Sequence, residues 1–214
     1  MKSIKINLAK SDEDLFGQSK WWGQADMPDD LEYPLIPYDD EYDDDPMTLV
    51  CQIRCADLAS YDTDNLLPHK GMLYFFAAID EYVHAISDYD NEVGYHNGLG
   101  EWEPETYRVL YSPNDEELAT HTIQDADGDP YGLPAEKITF EAADFNYDSF
   151  KLLGVPYYEE IKEQYPDYIN LLQIDNNDDW GMQLYDCGMI CFLIRPDDLK
   201  AMRFDRVLLH FFSF

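Results

Sequence analysis

Positive charge is what this chain of 214 residues has least of. Its 14 Lys and Arg face 45 Asp and Glu, for a net charge of −31. Such a field repels nucleic acid and anionic lipid, and it attracts cationic partners. Cysteine is scarce too. The four thiols, Cys51, Cys55, Cys187 and Cys191, fall as two pairs with four-residue offsets inside apolar runs. Residues four apart on a strand are separated by roughly 13 Å, so neither pair grips one zinc ion without a bend. They read as small core residues. Long apolar runs are missing as well. The longest, Met72 to Ile79, suits a buried strand and not a bilayer span of about 20 residues. Met1 to Leu8 is not followed by the apolar stretch of a signal peptide, so the expected location is the cytoplasm, with reduced thiols.

Catalytic motifs are the last absence. The five histidines are scattered, and none sits in His-Glu-x-x-His or beside Gly-x-Ser-x-Gly. Gly94, Gly98 and Gly100 lack the order of a phosphate-binding loop. With 45 acids, carboxylate pairs are countless, so a hydrolase site built on them has no locatable position.

What is present is a core. Apolar residues make up 45% of the chain and aromatics 15%, far too much for a disordered acidic segment. Apolar or alternating runs predict strands over Met47–Arg54, Gly71–Ile79, Tyr107–Tyr111, Lys137–Glu141, Leu171–Asp175, Met182–Ile194 and Arg206–Phe212. Gly188 marks a bend in the sixth of these. Helices are fewer. Pro156–Gln164 and Pro196–Met202 each place proline first and acids in the opening turn, and Asp57–Ala59 reads as a short helical turn. Strands that do not alternate with long helices indicate an α+β fold with a largely antiparallel sheet. The expectation is one domain over 1–214, with an exposed excursion at 112–134 and no clear internal repeat.

The acids are clustered. Between Trp21 and Met47 there are ten and no Lys or Arg; between Lys70 and Lys137 there are fifteen, against Arg108 alone. The segment Tyr38, Asp39, Asp40, Glu41, Tyr42, Asp43, Asp44 and Asp45 lies between two prolines, and its mutual repulsion favours an exposed loop. Tyrosine area plus carboxylates suits a surface for a basic protein. A second cluster, Asp125, Asp127, Asp129 and Glu136, has the acid spacing of a calcium loop. Pro130 stands where that loop turns on glycine, and a strand follows where a helix is needed.

Several blocks in order carry a resemblance: Ser19-Lys20-Trp21-Trp22-Gly23-Gln24 with Glu32-Tyr33-Pro34, Leu49 to Leu58, Leu66 to Phe76, Lys151 to Pro156, Leu171 to Asp175, and Cys187 to Phe204. Together they resemble the YwqG-like family of bacterial proteins of unknown function. Gln24 departs from the second glycine usual there, and Tyr33 from the usual tryptophan. The resemblance implies an antiparallel α+β fold and no activity. The reading from the residues is a non-enzymatic acidic protein that binds a basic partner, such as a toxin or nuclease that it neutralises as an immunity protein does. The alternatives are a Ca²⁺-binding protein through the Asp125–Glu136 loop and a hydrolase. No other cofactor is expected.

Overall fold

The computed structural model describes residues 2–37, 45–79, 98–124, 127–180, 184 and 187–214. Among them, fifteen strands run in chain order: β1 (Ser3–Lys10), β2 (Lys20–Trp21), β3 (Ala25–Met27), β4 (Leu35–Ile36), β5 (Asp45–Pro46), β6 (Thr48–Arg54), β7 (Met72–Ala77), β8 (Gly100–Glu101), β9 (Tyr107–Ser112), β10 (Ala119–His121), β11 (Glu136–Ala143), β12 (Lys151–Leu152), β13 (Ile169–Ile174), β14 (Met189–Ile194) and β15 (Leu208–Phe212). Two short helices, α1 (Glu159–Gln164) and α2 (Pro196–Lys200), accompany them. Eleven strands form one antiparallel sheet in the order β8-β15-β14-β13-β12-β1-β11-β2-β6-β7-β9. The fold is therefore mostly antiparallel sheet with few helices.

The sheet curls around one core. Side chains from its centre and from both ends share that core, and Tyr107 near one end donates to the Val207 carbonyl beside the other at 3.1 Å. Strands β6, β7, β13 and β14 are buried on both faces almost throughout, which is why they read as continuous apolar runs. Two satellite cores cover the outer face. Strands β3 and β10 with the segment around Met47 cover β7, and α1 covers β14.

The strand order shows what the sequence conceals: the molecule is a structural duplication. Strands β1, β2, β6, β7 and β9 form one half, and β11, β12, β13, β14 and β15 the other. Lys20 pairs with Gln52, and Gln52 with Tyr74; in the other half Lys151 pairs with Gln173, and Gln173 with Cys191. The ladder breaks register between Leu49 and Cys51, and at the matching place between Asn170 and Leu172. The first strand of each half pairs with the second strand of the other, β1 with β12 and β11 with β2. The matching phenylalanines Phe75 and Phe192 meet edge to face inside the core at 5.3 Å.

The turn after β2 and β12 is also shared. Trp22 and Leu153 take φ of +57° and +59°, and the following Gly23 and Gly154 take +73° and +83°. A Cβ on Gly23 would lie 2.8 Å from the Ala135 Cβ, and one on Gly154 2.1 Å from the Ser3 hydroxyl. Each glycine thus lets the turn press against the start of the other half's first strand, at Ala135 just before β11 and at Ser3 in β1.

Some sequence boundaries shift. Helix α1 starts at Glu159 and not at Pro156, because the Tyr157 N–H is held by the Gln173 side chain at 3.1 Å and Tyr158 stays extended. The expected strand over Met182–Ile194 begins at Met189, just past Gly188; residues 181–183, 185 and 186 lie outside the described residues. The expected excursion at 112–134 contributes β10, which pairs with β3.

Candidate functional site

Duplication separates scaffold from function. What both halves keep holds the fold, and what one half adds is a candidate for function. The kept element is a buried lysine beside a glutamine. Gln52 donates to the Gln18 carbonyl at 2.9 Å and accepts from the Asp26 N–H at 2.8 Å. Gln173 donates to the Ser149 carbonyl at 2.8 Å and accepts from the Tyr157 N–H at 3.1 Å.

The lysines differ in their acceptors. In the first half Asp26 Oδ2 accepts from Lys20 Nζ at 2.7 Å, from the Gly17 N–H at 2.9 Å and from Gln52 at 3.1 Å, while Oδ1 accepts from Thr120 at 2.8 Å. Tyr74 donates to the Asp26 carbonyl at 2.7 Å, and burial, then the nearby carboxylate, push its phenol well above its ordinary value. Every polar atom of Asp26 is satisfied. This ion pair joins β2, β3, β6, β7 and β10, and it reads as a structural knot and not as a reactive site.

Two acidic stretches outside the duplicated strands meet at a cleft. Trp22 and Leu49 lie on its core side, Tyr33 and Met47 come from the 28–47 stretch, and Ile123 and Tyr131 from the tongue at 123–133. Tyr33 packs edge to face on Phe76 at 5.0 Å and donates to the Met47 carbonyl at 2.8 Å. Gln24 ties down the tongue: it donates to the Tyr131 carbonyl at 2.8 Å and accepts from the Ile123 N–H at 2.6 Å. The tongue closes on itself through Tyr131 N–H and the Ile123 carbonyl at 2.8 Å. Gln24 is therefore the anchor of the acidic tongue, at a position where the resemblance leads one to expect glycine. The cleft encloses about 20 Å³, room for one water-sized group. A small-molecule pocket is typically about 300–1,000 Å³, so this cleft suits a single group at the tip of a larger partner.

The sequence-predicted residues distribute around it. Asp45 is exposed and pairs with Ile36; Tyr38, Asp39, Asp40, Glu41, Tyr42, Asp43 and Asp44 lie outside the described residues. Asp127 and Asp129 are exposed on the tongue, and Asp125 lies outside the described residues. Glu136 is buried at the start of β11, where its carboxylate accepts from the Trp180 indole at 3.0 Å. Trp180 in turn stacks on Trp21 at 5.7 Å. Among the described residues, no three His, Cys, Asp or Glu side chains gather as metal ligands. Cys51, Cys55 and Cys191 are buried and Cys187 is exposed, all four as free thiols. Burial pushes the Cys55 and Cys191 thiols up to about 12, so neither is a thiolate nucleophile.

Sequence reasoning missed a third group. Tyr165 donates to Glu101 at 3.0 Å and lies 3.1 Å from Nδ1 of the buried His210. Burial lowers the His210 value against the opposing effect of Glu101, so the ring is neutral near pH 7. These residues lie far apart in sequence, and β8 pairing with β15 brings them together.

No helix among the described residues is long and apolar enough to cross a membrane. No curated protein matches the chain. The profile of DUF1963, a domain of unknown function, matches residues 19–155 and 125–211. With nearly the whole chain covered, the protein belongs to the DUF1963 family.

Proposed function

We propose that this protein is an acidic, non-enzymatic binding protein of the cytoplasm that captures a basic protein, in the manner of an immunity protein neutralising a toxin or nuclease. The YwqG-like resemblance belongs to this reading and adds no activity to it. The observation that carries the proposal is the cleft: the two acidic stretches flank one aromatic opening. Asp29, Asp30, Glu32 and Asp45 are exposed in the segment that contributes Tyr33 and Met47 to the cleft, and Asp127 and Asp129 in the tongue that contributes Ile123 and Tyr131. A lysine ammonium entering between Tyr33 and Tyr131 would meet aromatic rings within the cleft, and the acids of the two segments that line it would draw it in. The magnitude of the charge also supports it, since about 2 to 8 suffices for solubility of a small domain.

The test is association kinetics with the basic protein captured from lysate at low salt. Replacing Asp39, Asp40, Glu41, Asp43, Asp44 and Asp45 by Asn or Gln should slow association about tenfold or more and leave melting unchanged or slightly raised. Raising salt should weaken wild-type capture steeply, because attraction is screened over about 8 Å at physiological ionic strength. An unchanged on-rate, or capture indifferent to salt, contradicts the proposal.

A further inference from the structure

The second half holds a feature that the duplication itself exposes. The position matching Asp26 is Tyr157, since Lys151 matches Lys20 and both glutamines grip the same backbone N–H. Lys151 therefore has no counterpart of the Asp26 carboxylate. It is fully buried, and its ammonium donates to two peptide carbonyls, Tyr147 at 2.6 Å and Val155 at 2.8 Å. Burial lowers it to about 8, with the Cys191 and Asp148 side chains opposing and Lys162 assisting.

Tyr157 turns outward instead and lines a groove of about 570 Å³, within the usual range for small ligands of about 300–1,000 Å³. The groove wall carries both signs of charge. Lys5 comes from β1 and Lys2 from just before it, and Asp144 and Asp148 come from the loop after β11. Tyr147, whose carbonyl holds Lys151, and Asn146 complete it. The Asn146 Oδ1 is buried and has no hydrogen-bond donor. Lys5 leans on the Tyr147 ring at 5.8 Å and reaches the exposed Glu141 at 3.4 Å. In a chain of net charge −31, two lysines above a third, buried one make a local cationic spot, and the two aspartates stand beside it.

We propose that this groove binds a zwitterionic small ligand of the α-amino-acid or short-peptide class. Its carboxylate sits at Lys2 and Lys5, over the peptide that holds Lys151. Its ammonium faces Asp144 and Asp148, and its side chain lies between Tyr147 and Tyr157. A simple anion leaves the aspartates unmatched, and a simple cation leaves the lysines unmatched; a zwitterion satisfies both. The proposal is independent of the acidic cleft, which shares no lining residue with this groove.

Calorimetric titration of the full chain with the common free amino acids and dipeptides tests it. At least one should bind saturably with Kd below about 10 mM. Its N-acetyl and its carboxamide forms should each bind about tenfold or more weakly. Lys5→Met should weaken binding by a similar factor. Tyr157→Asp, which places a protein carboxylate where the first half has one, should abolish binding while the melting temperature holds or rises. No saturable binding by any member of the set overturns the proposal. Binding indifferent to N-acetylation, to amidation or to both substitutions overturns it as well.

Discussion

Asp26→Asn isolates the charge of the buried knot from its hydrogen bonds. The asparagine oxygen can keep the three donors that meet Oδ2, namely Lys20, Gln52 and the Gly17 N–H. Its amide nitrogen then faces the Thr120 hydroxyl, which can turn from donor to acceptor. What is lost is the counter-charge of a lysine whose side chain is only 7% exposed. Removing one partner of a buried pair costs about 3–5 kcal/mol, a fall in melting temperature of about 6–20 °C for a chain of this size. The deficit should depend on pH. A buried lysine without its partner has a lowered folded value, while the unfolded one stays near about 10.4. The unfolded state then binds more protons, so the variant regains stability as pH rises towards that value. Lys151, lowered to about 8, contributes a rise of the same sign to both proteins, so the quantity to follow is the difference between them. Urea unfolding at pH 7 and pH 9.5 measures it. A loss under about 1 kcal/mol, or a deficit that does not shrink at the higher pH, refutes the reasoning.

Three further outcomes follow from the packing. Gly154→Ala should cost more than Gly23→Ala in chemical denaturation, because its Cβ meets Ser3 Oγ at 2.1 Å and the Phe145 carbonyl at 2.4 Å, against Ala135 Cβ at 2.8 Å. Gly132→Ala, with nothing within 4 Å, should cost least of the three. Tyr165→Phe should destabilise by about 1–3 kcal/mol, since it strips the hydroxyl shared by Glu101 and His210. The lowered His210 value carries no penalty above about pH 6.5 and a growing one as pH falls, because the unfolded imidazole takes up the proton first. His210→Gln should accordingly flatten the acid limb of a stability–pH curve.

The sheet was legible in the sequence where strands are buried on both faces. Met72 to Ala77 and Met189 to Ile194 are runs that no helix period explains. Gln52 is a lone amide inside an apolar strand, a position that calls for hydrogen-bond partners on burial, and the Gln18 carbonyl and the Asp26 N–H supply them. The duplication was not legible. Strands β2 and β12 have two residues each and carry no pattern. The halves share chiefly isolated points, such as Lys20 and Lys151, Gly23 and Gly154, or Gln52 and Gln173, spaced by loops of unequal length. The register fixes these matches, and the register exists only in three dimensions. Acid clusters were legible as charge, but not that two of them flank one cleft, because Gln24 joins residues about a hundred positions away. The Glu101, Tyr165 and His210 group was hidden likewise, for each residue is ordinary in its own segment.

Hydrogen exchange on the complex with the captured basic protein tests the central claim most directly. Slowed exchange should map to residues 24–36 and 119–133, the two sides of the acidic cleft, and should vanish at high salt. Protection confined to the second half, around α1 and β15, would contradict the account.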